Sequence, residues 1–286
     1  MNDSVLVVVA SGGAYLQHGK ALAVNCKLQG NWKGDFAWIC NPEDDMSSIE
    51  SRGFDVLRFP EKRCAMKFRL FDPYFKKWNR LIFFDCDSLV QGDLNVACDR
   101  LSARFPAILC DGSQDNSILS DWEHFDRLGG TGPDSHPEVY ERLKAKWPSV
   151  TQPLFGSSAF CFDPRSIPHG TLESILSVQE EFKEANPGGY DQQVTSLVLY
   201  DQLERAGKDF FIWWAFDVPH NRVPSESRGW RGDEFPVAVH YWSCFAPWLE
   251  KPDDNASRVN ERLGRVCRDL YLENLAAFNT MFPRVT

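Results

Sequence analysis

Short apolar runs alternate with helical segments from the start of this chain to residue 90, and this alternation limits the folds open to it. Runs of four to six apolar residues are too short for typical helices and are typical of buried strands. Between them, Leu16–Leu28 and Glu43–Arg52 predict helices that end close to Gly30 and Gly53. This alternation favours an α/β fold with a Rossmann-like, mostly parallel central sheet and helices on both faces. The predicted strands are Val5–Ala10, Phe36–Cys40, Phe54–Phe59 and Leu81–Phe84.

The rest of the chain continues this pattern around one irregular segment. Residues 112–152 are rich in Gly, Pro, Ser and Asp and contain one predicted helix, Pro137–Trp147, which indicates an insertion over a ligand site. No repeat or linker divides the chain, so we expect a single domain over residues 1–286 with a C-terminal helix at 256–282. The other predicted helices are Cys64–Phe71, Thr171–Ala185 and Asp191–Leu203, and the other strands are Pro106–Asp111, Phe160–Phe162, Phe210–Ala215 and Val237–Tyr241.

Two carboxylates follow the fourth predicted strand, at Asp85 and Asp87. Residues two apart on an extended chain point the same way, so both side chains are expected to project together beyond the strand. Ligands of such sheets bind beyond the carboxyl ends of the strands. Two carboxylates this close repel each other unless a cation lies between them, and a divalent ion that carries phosphate oxygens would meet this need. The alternative is a strand-end turn with two solvated Asp residues.

Composition excludes several other classes of function. A net charge of -9 provides no general electrostatic attraction for nucleic acid. Nine Cys residues without a Cys-x-x-Cys pair favour reduced thiols and a cytoplasmic location over a disulfide framework. The chain enters the apolar run at Val5 without a basic stretch, which indicates a first strand and not a signal peptide. The apolar run Phe210–Phe216 is too short to span a membrane.

In the order of its motifs, the chain resembles family 8 glycosyltransferases, a GT-A fold group that includes glycogenin and bacterial galactosyltransferases. The resemblance extends over roughly residues 5–250 and is strongest at Asp85-Cys86-Asp87. The other matching segments are Val9–Tyr15 (Val-Ala-Ser-Gly-Gly-Ala-Tyr), Met66–Leu70 with its Lys67, Asp111, Gly189-Tyr190-Asp191-Gln192, Val239-His240-Tyr241 and Pro247-Trp248.

The resemblance implies a metal-dependent hexosyltransferase that transfers a hexose from a UDP-sugar to an acceptor, with retention at the anomeric carbon. It implies that Asp85, Asp87 and His240 bind Mn²⁺, which the imidazole ligand favours over the alternative ion Mg²⁺. The implied catalytic residues at the donor sugar are Asp191, Gln192 and Asp111, and the implied donor-binding residues are Ala10, Ser11, Tyr15, Lys67 and Cys86. The acceptor is expected to be a glycan, a protein or a small molecule, with residues 112–152 on the acceptor side.

The chain departs from the family pattern at two positions. Gly156 replaces an Asn that helps to position the sugar, and Ala246 replaces a Lys that binds the diphosphate. Arg228 or Arg231, in the loop before His240, is a candidate replacement cation. These departures leave open an idle GT-A domain that binds a nucleotide or a glycan without turnover.

A second alternative is a haloacid-dehalogenase-type phosphatase, which also places Asp-x-Asp after a buried strand and uses the first Asp as a nucleophile. That motif usually has Thr or Val where this chain has Leu89, and the later acidic pair Asp253-Asp254 lies in a predicted turn. Individual site residues have structural alternatives as well: Tyr15 as an ordinary first-turn aromatic, Lys67 as a solvated surface residue, Asp191 as a helix cap and His240 as a core histidine.

Overall fold

The structure is a computed structural model that describes residues 3–61, 63–95, 108–130, 132–186, 190–204, 211–213, 215–217, 238–240 and 261–285. Across these residues, strands and helices alternate as the sequence predicts. The strands within the described residues are β1 Ser4–Val9, β2 Asp35–Cys40, β3 Asp55–Arg58, β4 Arg80–Phe84, β5 Ser88–Val90, β6 Ile108–Ser117, β7 Pro153–Phe162, β8 Phe211–Trp213, β9 Ala215–Asp217 and β10 Ala238–His240.

The described residues form a seven-stranded central sheet in the order β3-β2-β1-β4-β7-β6-β8. Strands β1 to β4 run parallel, and β6 is parallel to β8. Strand β7 runs antiparallel to both β4 and β6. The mostly parallel α/β sheet predicted from the sequence is therefore confirmed, and one reversed strand lies beside the Asp85 strand. A smaller sheet joins β5, β10 and β9 next to its carboxyl edge.

Helices cover the sheet, and several shorter segments are 3₁₀ helices. The α-helices are α1 Gly13–Leu28, α2 Ser47–Glu50, α3 Ile118–Leu128, α4 Pro137–Lys146, α5 Thr171–Glu181, α6 Asp191–Glu204 and α7 Glu261–Met281. The 3₁₀ helices are Arg63–Phe71, Pro73–Lys77, Pro133–Ser135, Pro148–Thr151, Pro164–Ser166 and Lys183–Ala185. Among the residues that the structure describes, no helix is both long and apolar enough to cross a membrane.

Alternate residues of the central strands supply the two faces of the core. Val7 and Phe83 belong to the cluster that also holds the 3₁₀ helix Arg63–Phe71 and helices α3 to α6. Val8 and Phe84 belong to the opposite cluster, which contains side chains of α1 and α7. Because successive strand residues point to opposite faces, fully buried strands of this kind are apolar at almost every position.

Several local predictions differ from the structure, and the predicted strand Phe160–Phe162 is the end of the longer β7. Strand β6 continues through the polar residues Asp111–Ser117, and helix α3 follows it, where the sequence indicated an irregular insertion with one helix. Pairing with β7 supports β6 despite its polar composition, with register shifts after Cys110. Helix α2 has only four residues instead of the predicted Glu43–Arg52. The predicted helix Cys64–Phe71 is a 3₁₀ helix. Residues 256–260 of the predicted C-terminal helix lie outside the described residues.

We expect Gly19→Ala to lower the free energy of unfolding by up to about 2 kcal/mol. A Cβ atom there would lie 2.6 Å from the buried Trp38 ring and 2.8 Å from Val8, and such overpacking costs about 1–3 kcal/mol, partly offset by the helix propensity of Ala. Gly13→Ala is the matched control on the same helix, because nothing lies within 4 Å of its Cβ position. Urea denaturation measures both variants, and equal stability of the two would contradict the packing argument.

Candidate active site

The two carboxylates after β4 lie on a tight turn. The Asp85 amide donates a hydrogen bond to the Ser158 carbonyl at 2.7 Å, and the Ser88 amide donates to the Asp85 carbonyl at 2.9 Å. The prediction of extended chain from Asp85 to Asp87 is wrong. Asp85 and Asp87 are the first and third residues of a turn that leads directly into β5, so strand alternation does not determine where their side chains point.

Strand β5 is fixed between helix α1 and strand β10. The buried Asn25 side chain accepts a hydrogen bond from the Val90 amide at 2.6 Å and donates one to the Val90 carbonyl at 3.3 Å. On the other side, β10 pairs antiparallel with β5, and His240 is the residue opposite Ser88. Opposite residues in such a ladder have Cα atoms about 4.5–5.5 Å apart. The backbone of His240 is therefore one residue from Asp87 across the ladder, while its side chain lies outside the described part of the structure.

Lys67 connects this turn to helix α6. The 3₁₀ helix Arg63–Phe71 places the Lys67 ammonium 2.7 Å from Asp85 Oδ2 and 3.7 Å from Asp191 Oδ2. Burial acts to lower the pKa of Lys67, but Asp191 and Asp85 outweigh it and hold that pKa above its ordinary value of 10.5. The side chain is only 15% exposed, so the alternative of a solvated surface lysine is wrong.

Asp191 begins helix α6 and is buried, with 4% exposure. Its position is set by Asn186, whose side chain accepts a hydrogen bond from the Tyr190 amide at 3.0 Å and donates one to the Tyr190 carbonyl at 2.9 Å. A carboxylate at a helix N-terminus is stabilised by the helix dipole. Among the described residues, Asp191 Oδ2 has the Lys67 ion pair but no hydrogen-bond donor. This oxygen is itself buried, and the Lys67 ammonium is its charged neighbour in the described part of the chain.

The residues predicted at the nucleotide end follow β1. The Ala10 amide and carbonyl are hydrogen-bonded to Ile39 and to the Trp38 indole, so both groups already have partners in the fold. Ser11 Oγ lies 2.8 Å from Asn41 Oδ1 and also contacts Asp44. Tyr15, in the first turn of α1, is 59% exposed. Because most of its ring faces solvent, Tyr15 is available for stacking.

The remaining predicted residues occupy the same edge of the sheet. Gln192, the second residue of α6, is half-buried. Cys86 is half-buried with its thiol 3.6 Å from the Val9 carbonyl, and burial raises the pKa of that thiol. Asp111 lies on β6 at a register shift between Cys110 and Gly112, a feature that is over-represented next to active sites. The side chain of Asp111 is outside the part of the chain that the structure describes.

Sequence reasoning missed several residues that shape this site. Asn25, Asn41, Asp44 and Asn186 fix its backbone, and Cys64 lies close enough to Asp191 and Lys67 for them to influence its thiol, whose pKa burial raises to about 11. Within its own segment of the sequence, none of these side chains differs from an ordinary polar residue or a cysteine without a specific role. Only Asn186, just before Pro187-Gly188-Gly189, lies in a recognisable turn signal.

The charges of the site suit a divalent cation. Asp85, Asp87 and Asp191 lie around Cys86 and Cys64 with Lys67 as their ammonium partner, so negative charge exceeds positive charge among these side chains. Within the described side chains, no group of three His, Cys, Asp or Glu residues is arranged to hold a metal ion. Carboxylate oxygens are ligands that hard divalent ions prefer, and His240 pairs with Ser88 beside the turn, so a metal site at Asp85, Asp87 and His240 stays a prediction.

Comparisons with known proteins identify the fold. No family model and no curated protein matches the sequence. The glycosyltransferase GlyE of Streptococcus pneumoniae is similar in structure, with a TM-score of 0.55 at 13% identity over 98% of this chain and 63% of GlyE. The galactosyltransferase LgtC, solved with donor and acceptor sugar analogs, gives a TM-score of 0.57 at 11% identity over 99% of this chain and 97% of LgtC.

This chain has the GT-A glycosyltransferase fold. The bifunctional glycosyltransferase WbbM shares it, with a TM-score of 0.54 at 14% identity over 96% of this chain and 50% of WbbM. The chain thus spans less than two thirds of GlyE and of WbbM but almost the whole of LgtC. At sequence identities this low, the structural similarity establishes a common fold and does not assign roles to individual residues.

We expect Lys67→Met to lower the free energy of unfolding by on the order of 2 kcal/mol, because it leaves Asp85 and Asp191 without their shared cation. Since the pKa of Lys67 is raised by folding, its contribution is complete below pH 10.5 and is lost only as pH rises through its folded pKa. The deficit of the variant should therefore be the same at pH 7 and pH 9.

Lys77→Met is the matched control for this measurement. Lys77 makes a surface ion pair with Asp55 at 3.0 Å, and such pairs contribute less than about 1 kcal/mol. Chemical denaturation of the parent and both variants makes the comparison. A Lys67 variant no less stable than the Lys77 variant would show that the buried pair does not support the fold.

Proposed function

We propose that this protein is a metal-dependent glycosyltransferase that transfers a hexose from a UDP-sugar to an acceptor, with retention at the anomeric carbon. The observation that carries the proposal is the convergence of Asp85, Lys67 and Asp191 at the carboxyl edge of a GT-A sheet. These residues come from three different segments of the chain. Their meeting point is where open α/β sheets bind ligands.

The donor diphosphate would bind next to the turn after β4. Asp85, Asp87 and His240 would hold Mn²⁺, with Mg²⁺ as the alternative ion. When bound, that ion supplies Lewis-acid stabilisation of the charge that develops on the leaving UDP. The carboxylate turn would orient the diphosphate, and Cys86, whose thiol lies 3.6 Å from the Val9 carbonyl, would be beside it in the donor site. Ala10, Ser11 and Tyr15 would contact the uridine.

The donor sugar would lie between β4, β6 and the start of α6. Lys67 is positively charged and fixed by two carboxylates, so it can donate to a sugar hydroxyl or a phosphate oxygen without reorganising. Asp191, at the start of α6, would lie near the anomeric carbon and stabilise the positive charge that develops there. Gln192 and Asp111 would bind neighbouring sugar groups. The acceptor, a glycan, a protein or a small molecule, would approach from the side of residues 112–152.

The alternatives make different predictions about turnover. The similar solved structures described above are glycosyltransferases, which favours transfer over phosphatase chemistry at Asp85. A catalytically idle domain would bind the nucleotide without turnover. Ala246 and the candidate cations Arg228 and Arg231 lie outside the described residues, so mutagenesis must determine whether an arginine replaces the missing lysine. A screen of nucleotide sugars for binding and hydrolysis, with and without Mn²⁺, separates the three functions.

We expect Asp87→Asn to abolish most Mn²⁺-dependent transfer while the protein stays folded. The amide keeps the shape of the side chain but removes one negative charge from the ion site, which weakens metal binding and the stabilisation of the leaving group. Asp55→Asn is the matched control, because Asp55 begins β3 at the opposite edge of the sheet. Transfer rates measured against Mn²⁺ concentration test the assignment, and near-parental activity of Asp87→Asn would disprove it.

We expect Tyr15→Ala to weaken UDP binding by about 1–3 kcal/mol, the range for stacking of a base on an aromatic ring. Tyr15 is 59% exposed at the nucleotide end of the site, so its loss should cost little stability. Tyr74→Ala is the control, since Tyr74 is an exposed aromatic residue just before β4 at the other edge. Isothermal titration with UDP and Mn²⁺ provides the measurement, and unchanged affinity would remove Tyr15 from the nucleotide site.

A further inference from the structure

The exposed ring of Tyr15 rests on a buried histidine. His18 lies three residues later on α1, so the two side chains share one face of the helix. Their ring centroids are 5.6 Å apart with an interplanar angle of 80°, an edge-to-face arrangement. His18 is only 8% exposed, whereas Tyr15 is 59% exposed. One side of the tyrosine ring is thus supported by protein while the rest is open to a ligand.

The C-terminal helix fixes His18 from the other side. His18 Nδ1 and the Tyr271 hydroxyl oxygen are 2.8 Å apart, although the residues are 253 positions apart in sequence. The two rings also pack together, with centroids 5.7 Å apart. Tyr271 is buried within the contact between α7 and α1. Burial lowers the pKa of His18 to about 4, against the influence of Asp87, so the imidazole is neutral near pH 7 and its orientation depends on hydrogen bonding.

A fixed orientation of Tyr15 before binding would increase affinity for a stacked base. An exposed tyrosine that changes rotamer must be immobilised when a ligand stacks on it, and immobilising one such side chain weakens binding by roughly 2- to 10-fold. Support from His18 means that part of this ordering has already taken place in the free protein. The hydrogen bond to Tyr271 is one of the contacts that hold the buried imidazole in its orientation, so its loss is expected to loosen that orientation.

We propose that His18 and Tyr271 are positioning residues for the nucleotide base. The His18 imidazole holds the Tyr15 ring in an orientation suited to stacking, and the hydroxyl group of Tyr271 on α7 holds the imidazole. This inference rests on the proposed function, because it assigns the base of a UDP-sugar to Tyr15. It adds that affinity for the base, as distinct from the diphosphate, is set partly by helix α7.

The test compares two probes, UDP and inorganic pyrophosphate, each titrated in the presence of Mn²⁺. Pyrophosphate reports on the metal and diphosphate half of the site and has no base. We expect Tyr271→Phe, which removes one oxygen atom and keeps the ring, to weaken UDP binding about 2- to 10-fold and to leave pyrophosphate binding unchanged. His18→Ala should weaken UDP binding at least as much. If His18→Ala fails to fold, Tyr271→Phe still decides the question.

A matched control distinguishes positioning from general loss of stability. Tyr140 is another buried tyrosine, and its hydroxyl donates a hydrogen bond to Asp126 at 2.9 Å on helix α3, away from the nucleotide end. Tyr140→Phe should lower the melting temperature but leave the ratio of UDP to pyrophosphate affinity at its parental value. A similar change of that ratio in Tyr140→Phe would assign the effect to stability and overturn the inference.

A double-mutant cycle tests whether Tyr271 acts through Tyr15. In a Tyr15→Ala background, Tyr271→Phe should have no further effect on UDP affinity, because the ring that it positions is gone. An undiminished effect in that background would overturn the inference, as would unchanged UDP affinity of Tyr271→Phe in the parent. In both of these results the parent still binds UDP and the proposed function stands. A parent that binds pyrophosphate but not UDP would instead disprove the UDP-sugar assignment and the inference with it.

Discussion

The ion pairs of Lys67 are the interaction on which the geometry of this site depends. Carboxylates from the turn after β4 and from the start of α6 converge at one edge of the sheet, where they would repel each other without a cation. The ammonium lies 2.7 Å from one and 3.7 Å from the other, and thereby joins the 3₁₀ helix, the turn and the helix into one unit. A site assembled in this way is ordered before any ligand binds, which is what electrostatic catalysis requires.

Helices that pack on the two faces of the sheet surround the unit that Lys67 joins. On one face, the cluster that contains Phe83 buries the 3₁₀ helix that carries Lys67. On the other, helix α1 packs in one cluster with the sheet and α7, so α7 lies close to the residues that follow β1. This arrangement brings Tyr271 on α7 to His18 on α1, beside the residues that we propose to bind the nucleotide. The same burial that stabilises the fold therefore connects a distant segment of the sequence to the first turns of α1.

The parts of the fold that could be predicted are those where the sequence has a regular apolar pattern. Three of the four strands predicted before residue 85 are continuous apolar runs, and the structure confirms the positions of all four to within one or two residues. The length of strand β6 was underestimated because Asp111–Ser117 is polar and acquires its strand structure from pairing with β7. The length of helix α2 was overestimated. This polar segment has little apolar periodicity and buries only Ile49, so little packing stabilises further helical turns.

By itself, the sequence determined the α/β class, the strand that precedes Asp85-Cys86-Asp87, and the short list of polar residues from which a site could be made. Periodicity and motif spacing carry this information because they depend on neighbours within one segment. The tertiary structure alone decided which of these residues meet: Lys67 with Asp85 and Asp191, and His18 with Tyr271. Such contacts arise when separate elements bury their apolar faces against a common sheet, and no local pattern records which polar groups that burial brings together.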